Sequence, residues 1–297
     1  MKGIILAGGH GTRLYPITKA VSKQLLPVFD KPMIYYPLSI LLLAKIEEIL
    51  IISTRSDLSN FKKLLGDGSS FGVKFEYALQ EYPGGLAEAL IIGRPFIKSD
   101  SVCLVLGDNI LYGQGLTSIL EKMKKRVEDE NTAIIFGVEV NNPSSYGIVE
   151  LNKKDEVISI EEKPNNPKSN NAVIGLYFYP NIAIEMVKNI EKSERGEKEI
   201  TSLNQEFLKQ NKLSYLRLGR GFIWYDTGTP ESLKDASDFV QSVQERQGNK
   251  IACLEEIAFK QGLISKRKLS NLIDEVVDNE YSNYIKKIIL NSKWIQI

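Results

Sequence analysis

The 297-residue sequence carries 38 Lys and Arg against 37 Asp and Glu, which leaves a formal net charge of +1. This balance argues against binding to nucleic acid or to an anionic membrane through overall charge, so any affinity for phosphate must come from a local cluster. A single histidine argues against a histidine-rich metal site or a Ser-His-Asp triad.

Targeting signals and cysteine usage point to the cytoplasm. The first apolar run ends at Ala7, too short for a signal peptide, and the most apolar later segment falls far short of a membrane span. Cys103 and Cys253 lie far apart and show no metal-ligand spacing. We therefore expect a cytoplasmic protein with reduced thiols and with no nucleic-acid or membrane partner. Length alone allows one α/β domain with an appendage or two domains.

An apolar strand runs into a glycine-rich loop at the N-terminus. Gly8, Gly9 and Gly11 fall within four positions, so the backbone can approach a ligand closely and turn its N–H groups inward. Arg13 adds a planar cation suited to phosphate. The sequence does not match the dinucleotide-binding fingerprint G-x-G-x-x-G, because Leu14 stands where its third glycine is required. The P-loop pattern G-x-x-x-x-G-K-[ST] is also missing from the sequence. The loop is either a nucleotide site at a sheet edge or a plain turn between a strand and a helix.

Short apolar runs alternate with helical patterns over residues 1–140. This order predicts a doubly wound parallel sheet, with ligands at the carboxyl ends of its strands. Continuously apolar runs indicate strands buried on both faces. The predicted strands are Lys2–Leu6, Glu48–Ser53, Val73–Ala78, Ser101–Leu106 and Thr132–Val140, and the predicted helices are Tyr36–Ala44, Leu58–Leu65, Gly85–Phe96 and Gly115–Asp129.

From about Tyr146 the strands become shorter and polar turns join them. The pattern then becomes wholly helical and amphipathic beyond Gly248, which predicts a helical cap on the core. The predicted strands are Gly147–Leu151, Val157–Glu162, Ala172–Tyr179, Leu213–Leu218 and Gly221–Tyr225. The predicted helices are Ile182–Ile190, Thr201–Gln210, one starting at Pro230, Leu254–Gln261, Lys266–Val277 and Tyr281–Asn291.

Two aspartates each follow a predicted strand. Asp108 comes directly after Leu106-Gly107, and Asp226 comes directly after Trp224-Tyr225. If the two side chains met, they could share Mg²⁺, a hard cation that favours one or two carboxylates together with phosphate oxygens and water. Each aspartate could equally be a turn or helix cap.

Other polar residues lie near strand ends without forming a specific motif. Glu161-Glu162-Lys163-Pro164 closes a strand with two carboxylates and an ammonium, or is a solvated charged turn. Lys23 precedes Gln24, and Gln80 precedes Gly84-Gly85, where an amide and open backbone suit either a flat base edge or an ordinary turn. With no activated serine or cysteine signature, these groups favour direct in-line phosphoryl or nucleotidyl transfer.

Several longer segments complete the pattern. They are Gly11-Thr12-Arg13-Leu14-Tyr15-Pro16, Val21-Ser22-Lys23-Gln24-Leu25-Leu26-Pro27, Asp30-Lys31-Pro32-Met33-Ile34-Tyr35-Tyr36-Pro37, Leu106-Gly107-Asp108-Asn109, Ser145-Tyr146-Gly147, Gly175-Leu176-Tyr177-Phe178-Tyr179 and Asp226-Thr227-Gly228-Thr229. Together they resemble the sugar nucleotidyltransferase family over nearly the whole chain, and within it the thymidylyltransferases. UTP-using relatives typically carry Lys-Glu-Met-Leu-Pro where this sequence has Lys-Gln-Leu-Leu-Pro.

The resemblance implies an α/β fold with a Rossmann-like, mostly parallel mixed sheet flanked by helices and a C-terminal helical appendage. It implies a core over residues 1–245, with a nucleotide-binding half at 1–140 and a sugar-phosphate-binding half at 141–245. A helical tail at 246–297 would then make regulatory and oligomer contacts.

The resemblance also implies a reaction. A phosphate oxygen of α-D-glucose 1-phosphate would attack the α-phosphorus of dTTP with Mg²⁺, giving dTDP-glucose and pyrophosphate, the first step towards dTDP-L-rhamnose and related deoxysugars. The family pattern further implies a homotetramer with dTDP-rhamnose as an effector. Two alternatives stay open: a UTP- or other hexose-1-phosphate-using enzyme, and a non-catalytic sugar-nucleotide sensor on the same fold.

Individual roles follow from the same resemblance. The implied catalytic residues are Arg13 on the phosphates, Lys23 beside the departing pyrophosphate, Asp108 and Lys163. The implied nucleotide contacts are Leu6, Gly8, Gly9, Gly11, Thr12, Arg13, Gln24, Gln80, Gly85 and Asp108. The implied sugar-phosphate contacts are Asn109, Tyr146, Gly147, Glu162, Lys163, Val173 and Tyr177. The implied metal ligands are Asp108 and Asp226.

Three positions depart from the family pattern. His10 stands where a small residue is usual, and it either touches the ligand or faces solvent. Gly84 stands where an aspartate or similar polar residue is common, and Tyr225 replaces a frequent leucine beside Asp226. None of the three is a residue to which the resemblance assigns catalysis.

Overall fold

The computed structural model of the protein describes residues 1–9, 11–274 and 277–291. The expectation for His10 and part of the helix predicted over Lys266–Val277 fall outside the described residues. Within the described part of the chain, no helix combines the length and the apolarity that membrane crossing requires.

The strands lie close to the predicted positions, with three short additions. They are β1 (Lys2–Ala7), β2 (Pro27–Val28), β3 (Lys31–Pro32), β4 (Glu48–Ser53), β5 (Lys74–Leu79), β6 (Val102–Leu106), β7 (Asn109–Gly113), β8 (Ala133–Glu139), β9 (Gly147–Leu151), β10 (Val157–Glu162), β11 (Asn171–Tyr179), β12 (Leu213–Arg217) and β13 (Phe222–Asp226). The strands β2 and β3 were not predicted because each has only two residues, and β7 was not predicted because it follows β6 directly and is stabilised by pairing with the distant β13.

The helices also follow the predicted pattern. They are α1 (Tyr35–Leu43), α2 (Leu58–Leu65), α3 (Glu88–Ile97), α4 (Leu116–Glu130), α5 (Ala183–Met186), α6 (Ile200–Lys209), α7 (Pro230–Gln247), α8 (Leu254–Lys260), α9 (Lys266–Asp274) and α10 (Glu280–Asn291). One predicted helix is shorter than expected, because the chain after α5 tightens into a 3₁₀ turn at Val187–Asn189. Helix α7 begins with Thr229 as N-cap and Pro230 in its first turn, the position where proline is best tolerated.

The central sheet is mixed, as predicted. Its strands follow the order β10-β9-β11-β6-β1-β4-β5, and β8 joins the other edge of β11 and pairs with β12. The pairs β1–β4, β1–β6, β4–β5 and β8–β12 are parallel, whereas β11 runs antiparallel to both β6 and β8. A separate two-stranded ribbon pairs β7 with β13.

Strand β1 shows why the sheet is covered on both faces. All six of its residues are buried, and successive side chains point to opposite faces. Ile5 belongs to the hydrophobic cluster that includes residues of α1, α4 and α8, while Ile4 belongs to the cluster that includes residues of α3 and α6. Each such buried side chain contributes about 1.5–3 kcal/mol, so the continuous apolar run is required by its central position.

The helical tail packs on the same core. Cys253, Leu254 and Ala258 are buried in the cluster that contains the apolar face of α1. Tyr281 and Tyr284 donate hydrogen bonds from their hydroxyls to Glu255 and Glu256, each at 2.6 Å. These contacts attach α10 to α8, and α8 in turn packs against α1.

A buried ionic cluster joins the β2–β3 hairpin to the tail. Asp30 Oδ2 lies 2.7 Å from Lys250 Nζ, and Asp30 also pairs with Lys31. The side chains of Lys31 and Lys250 are only 2 % and 7 % exposed. Burial opposes the ionisation of Asp30, but the hydrogen bonds from Lys250 and Lys31 outweigh it and lower its pKa below the ordinary value.

We expect Asp30→Asn to lower the free energy of unfolding by roughly 3 kcal/mol, because it leaves the buried Lys31 without its counter-charge and leaves Lys250 with only the exposed Glu280. The carboxylate contributes stability above its unfolded-state pKa and loses it as the pH falls, so the difference from wild type should shrink below about pH 4. Urea unfolding at several pH values measures both effects. The control is Asp238→Asn, which breaks an exposed pair with Lys234 and should change stability by less than about 0.5 kcal/mol. Equal effects of the two variants would contradict the prediction.

Candidate active site

The glycine loop and Asp108 follow neighbouring parallel strands. Leu6 aligns with Leu106 across the β1–β6 pair, and Gly107 N donates to Leu6 O at 2.9 Å. A Cβ at Gly107 would lie 2.9 Å from the same oxygen, so the close approach requires glycine. Leu6 is buried at the strand end with its carbonyl occupied by this hydrogen bond. The two loops therefore leave the sheet side by side.

The second aspartate reaches the same place through the β7–β13 ribbon. Asp226 pairs with Asn109, the residue next to Asp108. Thr227 then donates from its backbone N–H and from its hydroxyl to Asp108 O, at 3.2 and 2.8 Å. Both carboxylates line one cavity of about 670 Å³. Asp108 and Asp226, which each follow a predicted strand, therefore lie close together in the structure.

Asp108 is held by two partners. Lys23 Nζ lies 2.7 Å from its Oδ2, and Asn109 Nδ2 donates to its Oδ1 at 2.9 Å. Burial opposes the ionisation of Asp108, but the Lys23 ammonium and the Asn109 amide outweigh it and hold its pKa below the ordinary value. The carboxylate is therefore ionised and able to bind a cation. Lys23 itself does not line the cavity and acts on it through Asp108.

Asn109 connects three strands. Its Oδ1 accepts hydrogen bonds from Gly175 N at 2.9 Å and from Trp224 Nε1 at 2.7 Å. A Cβ at Gly175 would lie 2.7 Å from that oxygen, so glycine is needed there. Asn109 lines the cavity, but its amide is mostly engaged by the protein and orients Asp108.

Arg13 and Asp226 lie on either side of Gly228. A Cβ at Gly228 would be 2.5 Å from Asp226 Oδ1 and 2.8 Å from an Arg13 Nη atom. Tyr146 lies nearby: burial and the negative charge of Asp226 raise its pKa, and Arg13 opposes the shift. Among the described residues, no carboxylate forms an ion pair with Arg13. Its guanidinium is thus available to an anion in the cavity.

A second group of charged side chains lines the other side of this cavity. Glu162 accepts a hydrogen bond from Thr201 Oγ1 at 2.6 Å. Arg195 and Lys163 each place a cation 3.7 Å from Glu162 Oε1. Tyr146 contacts the ring of Trp224 edge to face, with 5.1 Å between ring centroids. The predicted residues Thr12, Gly147, Val173 and Tyr177 complete the part of the lining that the sequence had assigned.

A neighbouring cavity of about 440 Å³ is lined by Gly9 and Gln80, together with Thr54, Arg55, Ser56, Glu81, Tyr82 and Pro83. Gln80 lies against Gly8, where a Cβ would be 2.1 Å from the amide oxygen. Five predicted nucleotide contacts border the cavities without lining them: Leu6, Gly8, Gly11, Gln24 and Gly85. Gln24 is buried and accepts a hydrogen bond from Ser22, Gly11 accepts one from Thr18, and Gly85 lies against Lys198.

A pair of hydrogen bonds, here called the clasp, joins the borders of the two cavities. Lys198 N donates to Gly84 O at 2.8 Å, and Ala87 N donates to Lys198 O at 3.2 Å. The segment 191–199 carries Arg195 towards Glu162, and the segment 82–87 borders the cavity of Gln80. The clasp therefore fixes the position of one segment relative to the other.

Comparison with known proteins identifies the family. Residues 2–243 match the family described as Nucleotidyl transferase. The chain belongs to the nucleotidyl transferase family. It is similar to glucose-1-phosphate thymidylyltransferases from Neisseria meningitidis (55 % identity, covering 97 % of this chain and 99 % of the relative), Xanthomonas campestris (52 %, covering 96 % and 95 %) and Mycobacterium tuberculosis (50 %, covering 97 % and 99 %).

Solved structures agree with this assignment. The crystal structure of a glucose-1-phosphate thymidylyltransferase from Bacillus anthracis in complex with sucrose is similar to this chain, with a TM-score of 0.74 and 38 % identity. The match covers 80 % of this chain and 94 % of that one. UDP-glucose pyrophosphorylase in complex with UDP-glucose is similar at a TM-score of 0.71 and 26 % identity, covering 81 % and 98 %. The predicted fold and the predicted family are confirmed, and the protein is a nucleotidyltransferase.

Some residues of this nucleotidyltransferase site were not predicted. Arg195 and Thr201 lie in a polar loop and a helix start, where no local pattern distinguishes them from solvated residues. Trp224 lies next to Asp226 in the sequence, but its contribution to the site is a hydrogen bond to the Asn109 side chain, which the sequence does not reveal. Tyr225, a departure from the family pattern, packs on the ring of Phe239 at 5.7 Å.

We expect Gly85→Ala to detach the segment 191–199. Gly85 has φ +97°, and a Cβ would lie 2.4 Å from Lys198 O. Trypsin cleavage after Lys192, Arg195 or Lys198 should accelerate by roughly fivefold or more, because such strain costs about 1 kcal/mol or more. Gly66→Ala is the control, since Gly66 also has a positive φ (+64°) but no heavy atom within 4 Å. Unchanged cleavage in Gly85→Ala would show that the clasp does not restrain the segment.

Proposed function

We propose that this protein transfers the thymidylyl group of dTTP to α-D-glucose 1-phosphate, forming dTDP-glucose and pyrophosphate. The observation that carries the proposal is the convergence of Asp108, Asp226, Arg13 and Lys163 on one cavity beside the glycine loop. The relatives at 50–55 % identity over nearly the whole chain, all glucose-1-phosphate thymidylyltransferases, support this choice of substrates.

The nucleotide occupies the side formed by residues 1–140 in this proposal. The base enters the cavity of Gln80 and Gly9, and the triphosphate runs along Gly8, Gly11, Thr12 and Arg13. The guanidinium of Arg13, which pairs with none of the described carboxylates, suits the phosphates, because a planar fork of donors matches their oxygens. Leu6 and Gln24, which are buried, and Gly85, which lies against Lys198, support this half from behind the lining.

The sugar phosphate occupies the side formed by residues 141–245. Lys163 and Arg195 supply cations for its phosphate, and Glu162, fixed by Thr201, accepts hydrogen bonds from sugar hydroxyls. The other members of this pocket are Asn109, Tyr146, Gly147, Val173 and Tyr177. We treat residues 246–297 as the tail that caps this core.

The donors present fit a divalent ion of the kind that the family generally uses. Among the described residues no cluster of three or more His, Cys, Asp or Glu side chains forms a closed metal cage. Mg²⁺ does not need one, because it binds through one or two carboxylates and completes its shell with phosphate oxygens and water. Asp108 and Asp226 would hold it. When bound, it would neutralise negative charge that develops on the transferred phosphate.

The reaction requires positioning and charge rather than a covalent intermediate. A phosphate oxygen of glucose 1-phosphate forms a bond to the α-phosphorus of dTTP. The bond from that phosphorus to the bridging oxygen breaks, and pyrophosphate leaves with the electron pair. Arg13 stabilises the leaving phosphates, Lys23 keeps Asp108 ionised and in place, and Lys163 with Arg195 aligns the attacking phosphate.

Turnover with UTP is the second candidate. UDP-glucose pyrophosphorylase shares the fold at a TM-score of 0.71, and uracil presents the same imide edge to Gln80 as thymine. Parallel assays of pyrophosphate release with dTTP and UTP decide between them, and equal or greater efficiency with UTP would overturn the thymidylyl assignment. The homotetramer, the dTDP-rhamnose effector and the cytoplasmic location stay predictions that the resemblance implies.

We expect Asp108→Asn to lower kcat for pyrophosphate release by roughly a hundredfold or more, because metal-assisted charge stabilisation contributes several kcal/mol. The measurement is a coupled pyrophosphate assay with dTTP, glucose 1-phosphate and a Mg²⁺ titration. The control is Asp100→Asn, which lies before β6 rather than after it and pairs with Lys2 at 3.6 Å. A wild-type rate and Mg²⁺ dependence in Asp108→Asn would exclude this residue as a metal ligand.

We expect Arg195→Ala and Lys163→Ala to raise the KM for glucose 1-phosphate by roughly tenfold or more each, because each removes a charge-assisted hydrogen bond. The KM for dTTP should change by less than about twofold, since neither cation lines the base cavity. Initial rates over both substrate concentrations measure the two constants. Arg94→Ala, which removes an exposed arginine paired with Glu185, should leave both constants unchanged. An effect confined to dTTP would move these cations to the other half of the site.

A further inference from the structure

Glu88 is an acidic residue at the start of α3 that none of the roles above uses. Its side chain is buried, with 9 % of the residue exposed. Glu88 Oε2 accepts hydrogen bonds from Gln80 Nε2 at 3.2 Å and from Gly84 N at 3.1 Å. A buried acid is stable only when its oxygens are hydrogen-bonded, so Glu88 and these two donors hold one another in place.

The hydrogen bond to Glu88 fixes the orientation of the Gln80 amide, with Nε2 towards the carboxylate and Oε1 away from it. An ionised carboxylate only accepts hydrogen bonds, so it binds the amide NH₂ group and repels the amide oxygen. Gln80 Oε1 accordingly faces the glycine loop, 2.1 Å from where a Cβ at Gly8 would lie. The reversed amide would bring two acceptor oxygens together and lose the hydrogen bond to a charged group.

Gly84 makes room for this carboxylate. A Cβ at Gly84 would lie 2.2 Å from Glu88 Oε2 and 2.4 Å from its Oε1. Any larger residue would therefore displace Glu88 from its present position. The carboxylate from α3 fills the space beside Gly84 and accepts a hydrogen bond from its N–H. Gly84 and Glu88 form a matched pair.

We propose that Glu88 is a positioning residue that sets the pyrimidine selectivity of the enzyme through Gln80. This inference rests on the proposed function, which places the base in the cavity that Gln80 lines. With one amide hydrogen on Glu88, Gln80 offers its other N–H and its oxygen side by side. That pair complements O4 and N3–H of thymine or uracil. Cytosine presents a donor and an acceptor in the reverse order, so the fixed amide rejects it.

The test compares the affinities of dTTP and dCTP for the full chain by isothermal titration calorimetry. Glu88→Leu removes the acceptor and frees the amide to reverse, so the dTTP-to-dCTP affinity ratio should fall about tenfold or more. Glu88→Gln keeps one acceptor oxygen and should keep the ratio within about threefold of wild type. A side chain that only filled space would not distinguish these two variants by their base selectivity.

Gly84→Ala provides a second route, because its Cβ displaces the carboxylate while Glu88 itself is unchanged. We expect the same fall in the ratio, and this variant decides the matter if Glu88→Leu does not fold. Glu256→Leu is the matched control. Glu256 is another buried glutamate, 7 % exposed, that accepts a hydrogen bond from Tyr284 in the tail. Its loss should lower Tm and leave the ratio unchanged.

An unchanged ratio in Glu88→Leu and Gly84→Ala would overturn the proposal. Equal affinity of the wild type for dTTP and dCTP would overturn it as well. Product formation by the wild type separates this inference from the proposed function. If no dTDP-glucose forms from dTTP and glucose 1-phosphate, the proposed function fails. If it forms and the ratio does not respond to Glu88, only the role of Glu88 fails.

Discussion

The candidate site depends on the antiparallel pairing of Asn109 with Asp226. These residues are far apart in the sequence, and without the β7–β13 ribbon the two carboxylates would have no reason to meet. Thr227 fixes the ribbon to Asp108 O, and Trp224 fixes it to the Asn109 side chain. The ribbon lies outside the central sheet, so it adds a second acid to a strand end that already carries the first.

Close approach of the backbone is the second constraint. Gly107 and Gly175 lie where a Cβ would contact Leu6 O and Asn109 Oδ1 at less than 3 Å, and Gly228 lies between Arg13 and Asp226. Gly107 and Gly228 follow the ends of β6 and β13, whereas Gly175 lies in the middle of β11. Their common property is that a charged or polar group of the site occupies the space of the missing side chain. The polar groups can therefore lie closer to one another than ordinary side-chain packing would allow.

Much of the fold was predictable because a central strand has to be apolar throughout. The bounds of the central strand β4 match the predicted ones, and so do those of β9 and β10, which lie at one end of the sheet and are joined by a polar turn. Strand β7 was not predicted, since it begins directly after Asp108 and its stability comes from a partner distant in sequence. In the site, Asp108 and Asp226 were recognisable by their place after strands. Arg195 was not, because it lies in a polar segment whose position is fixed by the clasp, a contact between segments distant in sequence.

The clasp has a consequence for how such a molecule can change its substrates. In the proposed function, different side chains recognise the base and the sugar phosphate, and Lys198 joins the two backbone segments that carry them. A chimaera that exchanged residues 191–199 alone would present Arg195 on a loop whose anchor belonged to another protein. Exchange of the segments 82–88 and 191–199 together would keep both hydrogen bonds of the clasp within one transplanted unit.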